Sequence, residues 1–326
     1  MTLLFKGAGL FIWGLNYAMG SVPSDLEELS AAGLIAGDAS VLAQMGYHRC
    51  LSLGPDQTFL TLVSDVARRT LATTPFPPRS LLFQHGNFES ATAPWEPGEP
   101  DSSTRYSYFP PHLMRELGID DLPYFCLFAG GCAGFSLLLA TAASQHMTSC
   151  GDGPILCLMG DRRTPFAPYD QARERILSSE HASTFALGRE PAGYQVLGVS
   201  CYSTARTVVP LIELVKRTTQ MISELADELG IDLRDPRLLI HYPNIFPDVW
   251  KLVTRSLRLK PSQHVMIGMA EWAHCGASDA LISLAQRHEC HDGRIHVAVT
   301  YGAGVHLAVS MLEEKPSRNP ALQAAA

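Results

Sequence analysis

The chain has 326 residues, is 46% hydrophobic and only 17% charged, and carries a formal net charge of -7. That length and apolar content allow a substantial core, in two domains or one large α/β domain, and the sparse charge places much of the sequence indoors. The acidic balance gives no general attraction to nucleic-acid backbones or anionic lipid, and basic pairs such as Arg68-Arg69 and Arg162-Arg163 read as solvated surface charge.

From the start of the chain, residues 3–13 carry a strand signal. This opening faintly imitates a secretory leader, but its basic region is weak and Asn16 interrupts the apolar run, so the chain reads as cytoplasmic. A helix is expected over residues 59–71 and a strand over 80–84, followed by a surface loop at 87–104 rich in Pro, Ser, Glu and Gly. Residues 122–143 are apolar enough to imitate a membrane span. Gly130-Gly131 break the run, so it reads as a buried strand (124–129) entering an all-apolar helix (135–147). A strand at 155–160 follows, and Glu180-His181 looks like an exposed polar pair.

The second half has strands at 194–202, 238–241, 265–269 and 296–301, with helices at 247–257 and 278–287. A further helix is well punctuated: Pro210 suits its first turn, an apolar stripe runs from Leu211 to Leu229, and Gly230 stops it. Alternation of this kind predicts α/β layers, and the similar element content of the halves hints at duplication. The tail from Glu314 should fray. Eight scattered cysteines suit a reducing compartment. His288, Cys290, His291 and His296 are dense, but match no standard zinc spacing.

The most informative stretch is Gly130-Gly131-Cys132-Ala133-Gly134, at the join of a buried strand and a buried helix. Glycines there permit a sharp turn and close approach of a substrate. A cysteine in a first helical turn feels the positive end of the dipole, which favours the nucleophilic thiolate. A merely packed cysteine accounts for the local residues equally well. The pattern also fits G-x-C-x-G, the nucleophile elbow of α/β-hydrolases with cysteine for serine. On that reading Asp161 would be the acid, and His296 or His306 the base.

Residues downstream add a resemblance. Phe128-Ala-Gly-Gly-Cys132-Ala-Gly-Phe-Ser136 resembles the active-cysteine segment of the β-ketoacyl synthase III family, within the thiolase superfamily of condensing enzymes and acyltransferases. His241-Tyr-Pro-Asn244 is similar to its His-x-x-Asn segment, and His274-Cys-Gly-Ala-Ser-Asp to its Asn-Thr-Ser helix start. Asp292-Gly-Arg-Ile295 and Tyr301-Gly-Ala-Gly304 resemble its last turns. Order and spacing agree over nearly the whole chain apart from 87–104.

The resemblance implies a thiolase-like, five-layered αβαβα fold of two pseudo-symmetric halves, 1–163 with Cys132 and 164–326 with His241 and His274, usually as a homodimer. It implies an acyl-CoA or acyl-carrier-protein partner, with the coenzyme A or phosphopantetheine thioester as substrate and no permanently bound cofactor. By position, Cys132 would be acylated and His241 would act on the acceptor. The backbone N–H groups of Cys132 and Gly304 would form an oxyanion hole, with Asn244 in support. Two departures stand out: His274 replaces the family's asparagine, and Phe246 stands where a basic residue is expected two places after Asn244.

The resulting expectation is acyl transfer through an acyl-Cys132 intermediate. Decarboxylative Claisen condensation in specialised metabolism would follow, with the His241–His274 pair stabilising the enolate. Transfer to a hydroxyl or amine, with His241 as base, is the near alternative. The cysteine hydrolase and a non-catalytic subunit of a synthase heterodimer are the others.

Overall fold

The computed structural model describes residues 1–86, 109–119, 121–128, 130–148, 153–164, 166–206, 209–287, 293–302 and 306–315. The 87–104 loop, Gly304, and His288, Cys290 and His291 lie outside them. The chain opens with β1 (Thr2–Leu4) and β2 (Phe11–Met19), then β3 (Val22–Asp25), α1 (Leu26–Ala31), α2 (Ala39–Met45) and β4 (Arg49–Ser52). Next come α3 (Phe59–Ala72), β5 (Ser80–Gln84), α4 (Phe109–Leu117), β6 (Tyr124–Leu127), α5 (Gly134–Thr148) and β7 (Ile155–Asp161). A small ribbon, β8 (Asp170–Gln171) and β9 (Ile176–Leu177), precedes β10 (His181–Gly188). The rest is β11 (Gly193–Ser203), α6 (Leu211–Leu229), β12 (Leu239–His241), α7 (Pro247–Ser256), β13 (His264–Val265), α8 (Met269–Trp272), α9 (Asp279–Gln286), β14 (Ile295–Gly302) and β15 (His306–Lys315).

The strand pairings show a duplication. In the first set β6, β5 and β7 are parallel neighbours, and β7–β10 and β10–β2 are antiparallel. In the second, β13, β12 and β14 are parallel, and β14–β15 and β15–β11 are antiparallel. The sets meet edge to edge where Ile12 and Phe11 of β2 pair with Tyr194 and Gln195 of β11. Strand β10 pairs with β2 and β7 and so belongs to the first set of strands.

Three hydrophobic cores stack these elements into five layers. Helices α3 and α4 cover one sheet through Phe59, Val63, Val66 and Leu113. Helices α6 and α7 cover the other through Leu214, Ile222, Leu225, Trp250 and Val253. Between the sheets, Phe135, Leu138 and Leu139 of α5 pack with Ala280, Leu281 and Leu284 of α9. An α-helix buried on all sides must be apolar all round, and residues 134–143 of α5 satisfy this except for Ser136 and Thr141, whose hydroxyls are hydrogen-bonded.

Five sequence expectations change. Strand β6 is largely exposed rather than buried, and Glu314, expected to begin a fraying tail, is a fully buried residue of β15. Residues 3–13 form two strands, not one, because Gly7 and Gly9 adopt left-handed φ of 91° and 61°; β1 then pairs with β11. The strand expected at 265–269 stops at Val265, since Gly268 turns left-handed and α8 follows. His181 is not exposed: it opens β10, an interior strand, and is almost fully buried.

Candidate active site

Cys132 sits in a short 3-10 turn, Gly131–Ala133, that leads directly into α5. The Gln84 side-chain amide, at the end of β5, donates to the Gly131 carbonyl at 3.0 Å and holds the turn. Two glycines are required by close approach. A Cβ on Gly134 would run into the Gln84 amide, and one on Gly302, at the end of β14, would run into the Gly130 carbonyl and lie 3.1 Å from the Cys132 nitrogen.

The thiol is not alone. His274 Nε2 lies 3.0 Å from Cys132 Sγ, and His274 Nδ1 lies 2.6 Å from Asp279 Oδ2. Asp279 is the first residue of α9, where helix-end N–H groups favour a carboxylate. It also accepts from the backbone N–H of Asn244 at 2.7 Å and of Cys275 at 2.8 Å. The Asn244 side chain donates to the Ala273 and Ile267 carbonyls, which places Asn244 directly behind the imidazole. Ala273, next to His274, takes a positive φ of 54°, a strained conformation for a non-glycine residue that is typical of functional sites. The His274 backbone is tied to the 177–179 segment, donating to Leu177 O and accepting from Ser179 N.

Burial alone would depress the His274 imidazole. The neighbouring Asp279 and Cys132 charges, with hydrogen bonds to both, overcome it and hold the group well above its ordinary value. This is the environment of an orienting carboxylate behind a base. Asp279 was not singled out from the sequence. Its signal is the spacing His274-x4-Asp279, which puts a carboxylate at a helix start one turn beyond a histidine.

His241 is a correction. Its side chain does not reach the thiol: Nδ1 bonds Ser283 Oγ at 2.7 Å and Nε2 bonds His296 Nδ1 at 2.9 Å. His296 continues the chain to Glu314 at 3.2 Å, all fully buried. Burial pushes the His241 imidazole well below its ordinary range, and the adjacent His296 and Arg287 push the same way. The physical reason is direction. His241 ends β12 as a strand residue, so its side chain points across its own sheet, towards α9 and β14, while the following Asn244 turns towards the site.

Cys132 and Gln171 line both of two cavities. The larger, about 790 Å³, is lined by Val41, Met45, Ile176, Leu211, Phe246 and Tyr301 among others, with Arg173 and Arg175 from the β8–β9 region. The smaller, about 470 Å³, holds Cys132 with His274, Asp161, Arg163, Glu180 and His181. His181, also missed from the sequence, bonds Ser278 Oγ through Nδ1 at 2.9 Å. Burial pulls it down to about 3, against the pull of Asp279, so it is a neutral imidazole.

The hydrolase arrangement is not assembled. Asp161 accepts from the Gly86 N–H, His296 belongs to the His241 chain, and half-buried His306 meets Ser203. His296 is thereby also removed from the imagined zinc cluster.

No family model matches the sequence, and no curated protein matches it either. Solved structures do match along nearly the whole length. The acyltransferase ChlB3 superposes with a TM-score of 0.77 at 18% identity, covering 94% of this chain and 98% of its own. The 3-oxoacyl-[acyl-carrier-protein] synthase III of Aquifex aeolicus VF5 gives 0.73 at 11% identity, covering 93% and 99%. OleA of Xanthomonas campestris gives 0.73 at 15% identity, covering 93% and 98%. The fold is therefore the thiolase fold, shared with condensing enzymes and acyltransferases of that superfamily.

Proposed function

We infer that this chain is an acyltransferase that moves an acyl group from a coenzyme A or carrier-protein thioester to a hydroxyl or amine, through an acyl-Cys132 intermediate. The single observation carrying this reading is the continuous Cys132–His274–Asp279 chain, with links of 3.0 and 2.6 Å. In the first half-reaction the Cys132 sulfur attacks the thioester carbonyl. The bond to the donor sulfur breaks, and the departing thiol takes a proton from His274. In the second, the acceptor O–H or N–H gives its proton to His274 Nε2, its heteroatom bonds the acyl carbon, and the Cys132 sulfur leaves. Asp279 orients the imidazole and stabilises the imidazolium. The backbone N–H of Cys132, with that of Gly304, is proposed to stabilise the tetrahedral oxyanion.

Decarboxylative condensation loses its geometric basis with His241. A paired-imidazole site for the enolate needs His241 beside His274, and His241 faces Ser283 and His296 instead. A catalytically silent subunit would have no need of a carboxylate-backed imidazole at the thiol.

A cytosolic homodimer is part of the same reading. Strand β6 ends the sheet order, and its residues are largely exposed, Phe125 by 50%. An open apolar edge is a template for pairing, and a second copy laid antiparallel on β6 would continue the sheet. Light scattering of Phe125→Lys against the native chain checks this: the native chain should be dimeric and the variant should dissociate.

Intact-protein mass spectrometry tests the function. Incubation with acyl-CoA thioesters should add one acyl mass to the native chain and none to Cys132→Ala. Small alcohols or amines should then discharge the adduct as ester or amide. Carbon dioxide release with a β-keto product from malonyl thioester, and no ester or amide, would overturn the reading.

A further inference from the structure

The two cavities that meet at Cys132 differ in chemistry, and a thioester is a linear molecule with its carbonyl between two substituents. When that carbonyl stands at the sulfur, the pantetheine arm and the acyl group must extend on opposite sides. Given the acyl-Cys132 reading, on which this step rests, one cavity takes the arm and the other takes the acyl group. The 790 Å³ cavity suits the arm: it is the larger space, and exposed Arg173 and Arg175, in the turn between β8 and β9, offer charge for a phosphate alongside the carboxylates Glu174 and Asp248. The 470 Å³ cavity is left for the acyl group.

That second cavity carries charged and polar side chains where the larger carries aliphatic ones, although the apolar share of lining surface is about equal in the two. Among the described residues lining it there is no Leu, Ile, Val, Met or Phe, whereas the larger cavity has all five types. Burying an alkyl chain is worth about 0.8 kcal/mol per CH2 when it leaves water for apolar surroundings, and that gain is offset wherever the chain displaces water from the charged side chains of this cavity. The unspent hydrogen-bonding capacity is on the donor side. The lining carboxylates already accept backbone N–H groups: Asp161 from Gly86, Glu180 from Leu53 and Arg163, Asp170 from Ala36 and Gly37. Arg163 is different. Its guanidinium stacks on Tyr169 and donates through Nη1 to Ala167 O at 2.6 Å, while its buried Nε meets no acceptor among the described residues. His181 is fixed through Nδ1 by Ser278, and its Nε2 lies 2.9 Å from where a Cβ on Gly276 would stand, beside the thiol cavity.

We propose that the 470 Å³ cavity binds a short acyl group bearing an oxygen acceptor, as in a hydroxyacyl, ketoacyl or carboxyacyl thioester, and that Arg163 and His181 are the residues that select it over an alkyl acyl group of equal length. Neither residue is needed for the bond-making steps; both set which acyl group is held.

The test is the rate of single acylation of Cys132, followed by intact mass, with coenzyme A thioesters matched in chain length: butyryl against 3-hydroxybutyryl, acetoacetyl and succinyl. At least one oxygen-bearing donor should acylate the native chain about tenfold or more faster than butyryl, since one satisfied buried hydrogen bond is worth about that factor. In Arg163→Met and His181→Phe, checked by circular dichroism for retained fold, the ratio should fall towards one through loss of the favoured donor. A variant that lost mere structural integrity would slow all donors alike and leave the ratio standing. Butyryl acylating as fast as every oxygen-bearing donor, or a native ratio unchanged in both variants, overturns the proposal while leaving the acyl-enzyme intact. Absence of any adduct removes the acyl-enzyme reading and this proposal with it.

Discussion

The two halves of the molecule repeat one scaffold and divide one chemistry. In each, a buried central helix begins with a 3-10 turn: Gly131–Ala133 before α5 and Gly276–Ser278 before α9. The first turn presents the nucleophile, Cys132. The second half supplies His274 just ahead of its turn and Asp279 just after it. The strand ends before these helices differ in the same way. Gln84 at the end of β5 reaches its own half's turn, bonding Gly131 O. His241 at the end of β12 reaches its own half's helix and strand, bonding Ser283 and His296. Equivalent topology therefore does not assign equivalent work: the position of a residue on the scaffold says where it stands, and its side-chain direction decides what it touches.

Several measurements would break or sharpen that contrast. Asp279→Asn removes the charge behind the imidazole while keeping the shape, and should lower acyl transfer about 10³-fold or more with the fold retained; a change under tenfold would show that the second half contributes no orienting acid. Gly302→Val forces a side chain against the Gly130 carbonyl and the Cys132 nitrogen. It should slow acylation by about 10²-fold, and overpacking should cost about 1–3 kcal/mol in urea unfolding. His241→Leu strands the partners of two buried hydrogen bonds, so it should cost about 2–4 kcal/mol of stability and leave the acylation rate within about threefold of native.

The smallest effect is a pH slope. His241 and His181 are held below the ordinary imidazole value when folded, so the unfolded chain binds protons that the folded one refuses. Their contribution to stability is full above about pH 6.5 and is lost progressively as pH falls below it. His274 has the opposite sign. Its folded value is raised, so it stabilises fully below the unfolded value and its contribution is lost only as pH rises through the folded value. Between pH 6.5 and 5 the slope should therefore come from the depressed imidazoles, His241 and His181 together with His146 and His264, and urea midpoints of His241→Leu should fall less steeply with acid than those of the native chain.

The layered fold was legible because period and punctuation agreed: a nearly all-apolar helix behind Gly130-Gly131, and a striped one between Pro210 and Gly230. Cys132 stood out because glycines and a strand–helix join leave few reasons for a thiol to be there. Other site residues were obscured for identifiable reasons. Asp279 looks like any acid in a first helical turn. His181 reads as surface polarity until β10 is recognised as interior, and β10 itself was unmarked. The His241 segment supplied the right residue types, but motif spacing carries no information about which side of a strand end faces the thiol. The neighbour that the spacing did place, Asn244, holds both Asp279 and the Ala273 carbonyl.

The most direct test of the central claim compares the two histidines at the thiol. Single-turnover acyl transfer, followed by intact mass, should fall about 10³-fold or more in His274→Ala and stay within about threefold of native in His241→Phe. The reverse ranking, with His241 essential and His274 dispensable, would contradict the assignment of Cys132, His274 and Asp279 as one working unit.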